Sequence, residues 1–362
     1  MKACFVVSAL ILISALHAQE NKPAPSAPPA TAAKASPPTA TPSPKPAAAP
    51  LANKPATPAK PATPAAAKPT PAKPAVTAKP AAPVKPAAAP AKPSPAPAKP
   101  VAKAPPPPKP VSIFRDKALE AAVRKQVFTK RDNQEPITAE DVASVSIIEG
   151  KKAGIKDLTG IEKCTALASL TLPDNQISSL AQLKGLSRLQ FLDVSHNQIS
   201  DITPLSSCKA LQYIELTGNK VTNVAALSGI QSLTSLYLAG NQIKDASPLF
   251  KLPKVWTLYL EGNQVSSIAG ISGMKWLSML SLKGNNVTDI APLESLTELQ
   301  FLFLENNKIA DISPLYRMWK KDNEGAREWA PYCQIFVTGN PLNESSKKQV
   351  DEMKKAGARI TP

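Results

Sequence analysis

The chain has 362 residues, 40 prolines, 4 cysteines and a formal net charge of +16. Thirty of the prolines and thirteen lysines lie between Gln19 and Pro110, where Glu20 is the one acidic residue, so this stretch carries +12. About +3 remains for residues 111–362, and the basic balance says little about the folded part. The lysines stand about six to eight residues apart and have no aromatic partners for base stacking, which argues against specific nucleic-acid binding.

Residues 1–18 read as a signal peptide. Lys2 precedes an apolar run, Ala3 to Leu16, that is too short for a comfortable bilayer span, and Ala18 is a candidate for the last residue before cleavage. The other reading is an uncleaved anchor. Either way the expected location is secreted or cell envelope. Cleavage leaves Cys164, Cys208 and Cys333, an odd and sparse set with no CxxC and no metal-ligand spacing. Neither a disulfide framework, a metal nor a cofactor is expected.

Residues 19–111 repeat units such as AKPAAP and PAKPAT. Proline fixes φ and removes the N–H, so neither helix nor sheet propagates, and too little apolar surface is present to offset the entropy of ordering. The expectation is a disordered stalk of extended polyproline II character, reaching on the order of 280 Å at ~3.1 Å per residue. It is read first as a spacer. Adhesion of its lysines to an acidic wall polymer is the second reading.

Residues 112–154 read as a small helical cap. In FRDKALEAAVRKQV, Leu119, Ala122 and Val123 share one face, and Thr138 is a candidate N-cap for a short helix beginning ITAEDVA. The following GIKDLTGIEKCTAL, with Ile155, Leu158, Ile161 and Leu167, is read as a degenerate first coil.

Residues 155–342 are governed by a period of 22. The segments LTLPDNQI, LDVSHNQI, IELTGNKV, LYLAGNQI, LYLEGNQV, LSLKGNNV and LFLENNKI place Asn175, Asn197, Asn219, Asn241, Asn263, Asn285 and Asn307 at equal intervals. An eighth, IFVTGNPL, places Asn340 after 33 residues. This is the leucine-rich-repeat pattern LxxLxLxxNxI. Each unit predicts a short strand with alternate side chains inward, then an asparagine whose amide satisfies backbone groups at the turn. A DIxPL phrase recurs at Asp201, Asp289 and Asp311, with a variant at Asp245, and its prolines suit short 3₁₀ or extended turns on the convex side. Cys164 and Cys208 stand where other repeats have Leu186, Ile230 or Met274, so both are expected buried and, ~9–10 Å apart at strand spacing, unbridged.

The 33-residue interval, with Trp319 and Trp329, predicts a longer helical excursion. Residues 343–362 read as a C-terminal cap, with Asn343 capping a helix to about Lys355 and a closing strand at Ala358 to Thr361. The fold class is therefore α/β: a right-handed leucine-rich-repeat solenoid with a parallel concave sheet, a helical N-terminal cap and a preceding stalk.

The motifs ITAEDVASV and GIKDLTGIE in the cap, LxLxxNxI with DIxPL in the repeats, and GNPLNESS at the end carry a resemblance. Residues 112–362 resemble the internalin-type, 22-residue class of bacterial leucine-rich-repeat proteins. The resemblance implies a surface or secreted binding protein whose concave sheet grips a partner. No sorting signal, wall-binding module or immunoglobulin-like extension follows the repeats, so it implies a general ligand-binding role and not host-cell invasion.

The concave positions of the strands hold Phe191, Tyr213, Tyr237, Tyr259, Phe301, Phe303 and Phe336, seven of the 17 aromatics in the chain. Such a concentration fits a contact surface; packing along the strand ladder is the competing explanation. Phe191 with Tyr213 and Tyr237 with Tyr259 are expected as neighbours, with Phe301, Phe303 and Phe336 as a second cluster. Asp174, Asp193, Glu215, Glu261 and Glu305 give the face an acidic tint, with Lys283 the exception. A protein partner with basic and apolar features fits, as does a glycan stacked on the rings, and a monomer is expected. Enzymatic activity is not: His196 lies near Asp193 and Ser195, but on one short strand these two point the same way, and no oxyanion-hole motif accompanies them. The alternative to a binding solenoid is a structural envelope component whose stalk binds wall polymers.

Overall fold

A computed structural model describes residues 111–362; the signal-peptide reading, and the stalk reading over 19–110, lie outside the described residues. Ten three-residue strands follow one another: β1 Ile147–Glu149, β2 Ser169–Thr171, β3 Phe191–Asp193, β4 Tyr213–Glu215, β5 Ser235–Tyr237, β6 Thr257–Tyr259, β7 Met279–Ser281, β8 Phe301–Phe303, β9 Gln334–Phe336 and β10 Arg359–Thr361. They form one parallel sheet in chain order. The register is uniform: Leu170, Leu192, Ile214, Leu236, Leu258, Leu280, Leu302 and Ile335 pair in sequence and are buried. A strictly 22-residue coil brings the same leucine to the same height each time, so each strand adds to one continuous core. Fully burying one such side chain stabilises by about 1.5–3 kcal/mol.

The asparagines explain why the strands stop after three residues. Asn241 Oδ1 accepts the N–H of Val221 from the preceding coil at 2.9 Å, while its Nδ2 donates to the carbonyls of Leu216 and Leu238, each at 3.0 Å. The same arrangement recurs from Asn175 to Asn340. Side-chain amides thus replace the ladder bonds lost where the chain leaves the sheet. On the convex side, 3₁₀ turns run over Thr203–Ser207, Ser247–Lys251 and Ala291–Ser295, each with proline in its first turn. The aspartate of DIxPL opens each one: Asp201, Asp245 and Asp289 accept the N–H two residues on at 2.8–2.9 Å.

The N-terminal cap contains α1 (Lys117–Arg124) and α2 (Ala139–Val142), the latter opened by a capping box between Thr138 and Asp141. Asp116 caps α1 with one carboxylate oxygen, and with the other accepts the N–H groups of Lys156 and Asp157, which fastens the cap to the first coil. β1 lies within the span read as helical cap. Ile148 pairs with Leu170, but Gly150 stands where later coils have a leucine and Ala153 where they have asparagine, so the coil lacks its signature. Asn175 of the next coil makes its regular bond to the N–H of Ile155 and in addition accepts the N–H of Ala153, each at 3.0 Å.

At the other end the 33-residue interval holds α3 (Ser313–Asn323), with Trp319 and Trp329 buried. Asn343 caps α4 (Glu344–Lys355) and β10 closes the sheet. Ser346 Oγ accepts the N–H of Ile312 at 3.0 Å, tying α4 to the last regular coil. Cys164, Cys208 and Cys333 are free and buried.

Candidate binding face

In every strand the central residue is buried and its two neighbours face the other side of the sheet, so the flanking positions form two columns at strand spacing, about 4.8 Å. One column holds Phe191, Tyr213, Ser235, Thr257, Met279 and Phe301; the other holds Asp193, Glu215, Tyr237, Tyr259, Ser281, Phe303 and Phe336. All seven aromatic rings are half-buried.

The rings form one run and not two clusters. Phe191 stacks on Tyr213 at 4.3 Å between centroids, Tyr213 meets Tyr237 at 5.3 Å, and Tyr237 meets Tyr259 edge-on at 5.1 Å. Tyr259 meets Phe303 at 6.4 Å, and Phe303 stacks on Phe336 at 4.9 Å, with Phe301 at its side. The gap expected between the two groups closes because Ser281 is small enough for Tyr259 and Phe303 to touch across β7. At the other join the run changes column, from Tyr213 to Tyr237, where Ser235 leaves room. Trp256, which sequence reasoning passed over, adds to this region: its indole Nε1 donates to Ser235 Oγ at 3.0 Å. Its position is alanine, glutamine, threonine or serine in the other regular coils, so no repeat pattern flagged it.

The acidic residues divide by role. Asp193 Oδ1 accepts the N–H of Ser195 at 3.0 Å and its hydroxyl at 2.7 Å. Glu215 Oε1 accepts the N–H of Thr217 at 3.0 Å. Burial pushes the Glu215 carboxyl up to about 7, against the lowering effect of the Thr217 bonds, and Asp193 beside it adds to the rise. Burial also raises the phenol of Tyr237 to about 12. Glu261 accepts from Ser281 Oγ at 3.2 Å, Lys283 Nζ lies 3.6 Å from Glu305, and Lys151 Nζ lies 4.0 Å from Asp174.

Beside the second column runs a groove of about 410 Å³, floored by Gly218, Gly240, Gly262 and Gly284 and walled by residues including Ala239, Glu261 and Lys283. The φ values of these glycines, +61° to +69°, require the left-handed conformation, and the lack of side chains in four successive coils opens the channel. His196 and Asn306, also at positive φ, close its ends. Asp193 Oδ1 is engaged with Ser195, and among the described residues no hydrogen bond joins Asp193 to the His196 ring. Among the described residues no group of His, Cys, Asp and Glu is placed to hold a metal ion.

Comparison with known proteins bears on this geometry. The profile described as leucine-rich repeats (2 copies) matches residues 187–229, 231–273 and 275–317. The crystal structure of internalin C2 from Listeria monocytogenes is 30% identical, with a TM-score of 0.54, and the match covers 58% of this chain and 94% of that one. The chain belongs to the internalin-type leucine-rich-repeat family. Internalin F of the same organism matches at 21% identity and TM-score 0.40, over 69% of this chain and 95% of that one. A leucine-rich-repeat protein of Leptospira interrogans matches at 18% identity and TM-score 0.45, over 56% of each chain. No curated protein sequence matches. The inner sheet face of this solenoid carries the aromatic run.

Proposed function

We propose that this protein is a non-enzymatic, secreted or envelope-exposed binding protein that holds a protein partner against its concave face, acting as a monomer. Leucine-rich-repeat proteins are commonly interaction modules, and this chain fits that role through one observation: the unbroken run of rings from Phe191 to Phe336. Ladder packing, diagonal contacts included, accounts for ring-to-ring contact; the half-exposure of every ring along the run is what fits a contact surface. Rigid aromatic area beside carboxylates fits a partner with apolar and basic groups; a glycan stacked on the rings is the other ligand class. The leader-like residues 1–18 support export, and residues 19–110 support display on a spacer.

Pulldown from envelope or host extracts, comparing wild type with Tyr237→Ala/Tyr259→Ala, tests the reading. Loss of a specific captured protein supports it; identical capture removes the central pair, and the reading with it. The +12 of residues 19–110 favours a second role, electrostatic adhesion to acidic wall polymers. Deleting those residues abolishes wall adhesion in that case and leaves capture by the solenoid intact.

A further inference from the structure

Two residues beyond the end of each strand, the same backbone position recurs at Ser195, Thr217, Ala239, Glu261 and Lys283. In the first two coils its N–H is bonded within the chain, Ser195 to Asp193 and Thr217 to Glu215, each at 3.0 Å. In the next three coils the acidic residue is replaced by Tyr237, Tyr259 and Ser281. Among the described residues, the N–H groups of Ala239, Glu261 and Lys283 have no acceptor, nor has that of Glu305 beyond the groove. Ala239 is only 6% exposed, and a buried amide without a partner is uncommon. All three residues line the glycine-floored groove.

We propose that the amides of Ala239 and Lys283 form a hydrogen-bonding rail for a proline-rich, basic peptide lying in the groove in polyproline II conformation. The proposal rests on the concave-face reading above and names the ligand class. Asp193 and Glu215 show the chemistry that fills this position, an oxygen acceptor. The spacing then selects the backbone conformation. Ala239 and Lys283 stand two strands apart, about 9.6 Å. A polyproline II chain has three residues per turn and rises about 3.1 Å per residue, so carbonyls on one side recur about every 9.3 Å. An extended β-strand presents them about every 6.7 Å, which fits neither one strand spacing nor two. Proline rings then meet Tyr237 and Tyr259, the aromatic surface such peptides use. Glu261 brings negative charge to this stretch, and its lysine, Lys283, lies against Glu305, so the ligand's charged side chains are basic.

The test uses the full chain and a fluorescent (Pro-Pro-Lys)₄ peptide, with (Gly-Gly-Lys)₄ and (Pro-Pro-Glu)₄ as controls. The expected result is binding at least tenfold tighter for the first peptide. Amide hydrogen exchange followed by NMR slows at Ala239 and Lys283 on its addition and is unchanged at Glu261, Ser195 and Thr217. Equal affinity for the control peptides, or binding without protection of the Ala239 and Lys283 amides, overturns the proposal. A partner that is lost with Tyr237→Ala/Tyr259→Ala but not displaced by excess (Pro-Pro-Lys)₄ also overturns it, while leaving the concave-face reading in place.

Discussion

The rings of Tyr213 and Tyr237 lie 5.3 Å apart although neither is the other's register partner: Tyr213 pairs with Ser235, and Tyr237 with Glu215. This diagonal contact joins the two columns of the concave face into a single aromatic surface. A double-mutant cycle with Tyr213→Ala and Tyr237→Ala, read by urea denaturation, is expected to give a coupling energy of about 0.5–1.5 kcal/mol. Additive effects would mean that the rings merely lie close.

The asparagine ladder is expected to be stronger in the middle than at its end. Asn241→Ala leaves the buried N–H of Val221 unpaired, while the carbonyls of Leu216 and Leu238 keep Asn219 and Asn263 as donors; the expected loss is that of one buried unsatisfied group, about 1–3 kcal/mol. Asn340 is half-buried at the last turn, so Asn340→Ala is expected to lower the urea midpoint less.

Glu215 gives a pH dependence of opposite sign to that of the capping carboxylates. Its folded value, about 7, lies above the ordinary 4.5, so between those values the folded state holds a proton that the unfolded state has released. Its contribution to stability is full below about pH 4.5 and is lost as pH rises toward 7. Asp116, Asp141 and Asp201, held low by hydrogen bonds, lose their contributions as pH falls. The difference between wild type and Glu215→Gln isolates the first effect: the variant gains relative stability steadily from pH 4.5 to 7. Parallel curves would show that Glu215 titrates normally.

The three buried thiols are expected to resist modification. Burial pushes Cys164 and Cys333 up to about 12 and raises Cys208, so little thiolate forms at pH 8. Peptide mapping after iodoacetamide treatment should find all three unmodified in the native protein and alkylated in guanidinium. Rapid native labelling at Cys208 would contradict the packing beneath the convex turns.

Much of the solenoid could be read before any coordinates, because its determinants are local and repeated. The 22-residue interval from Asn175 to Asn307 dictates equal coils; equal coils put Leu170 through Leu302 at one height, and alternation then assigns Phe191, Tyr237 and the other rings to the inner face. What repetition could not reveal lies where the pattern is broken or where two coils meet. β1 escaped notice because Gly150 and Ala153 replace its leucine and asparagine, and a neighbour's side chain makes up the loss. The joining of the aromatic groups depended on ring orientation across Ser235 and Ser281, which one-dimensional spacing does not specify. Asp193 and Glu215 read as surface charges, yet each spends an oxygen on its own backbone two residues on. The amides of Ala239, Glu261, Lys283 and Glu305, whose coils have no such carboxylate, stay open, since a backbone hydrogen bond is settled only when acceptor and donor are placed in space.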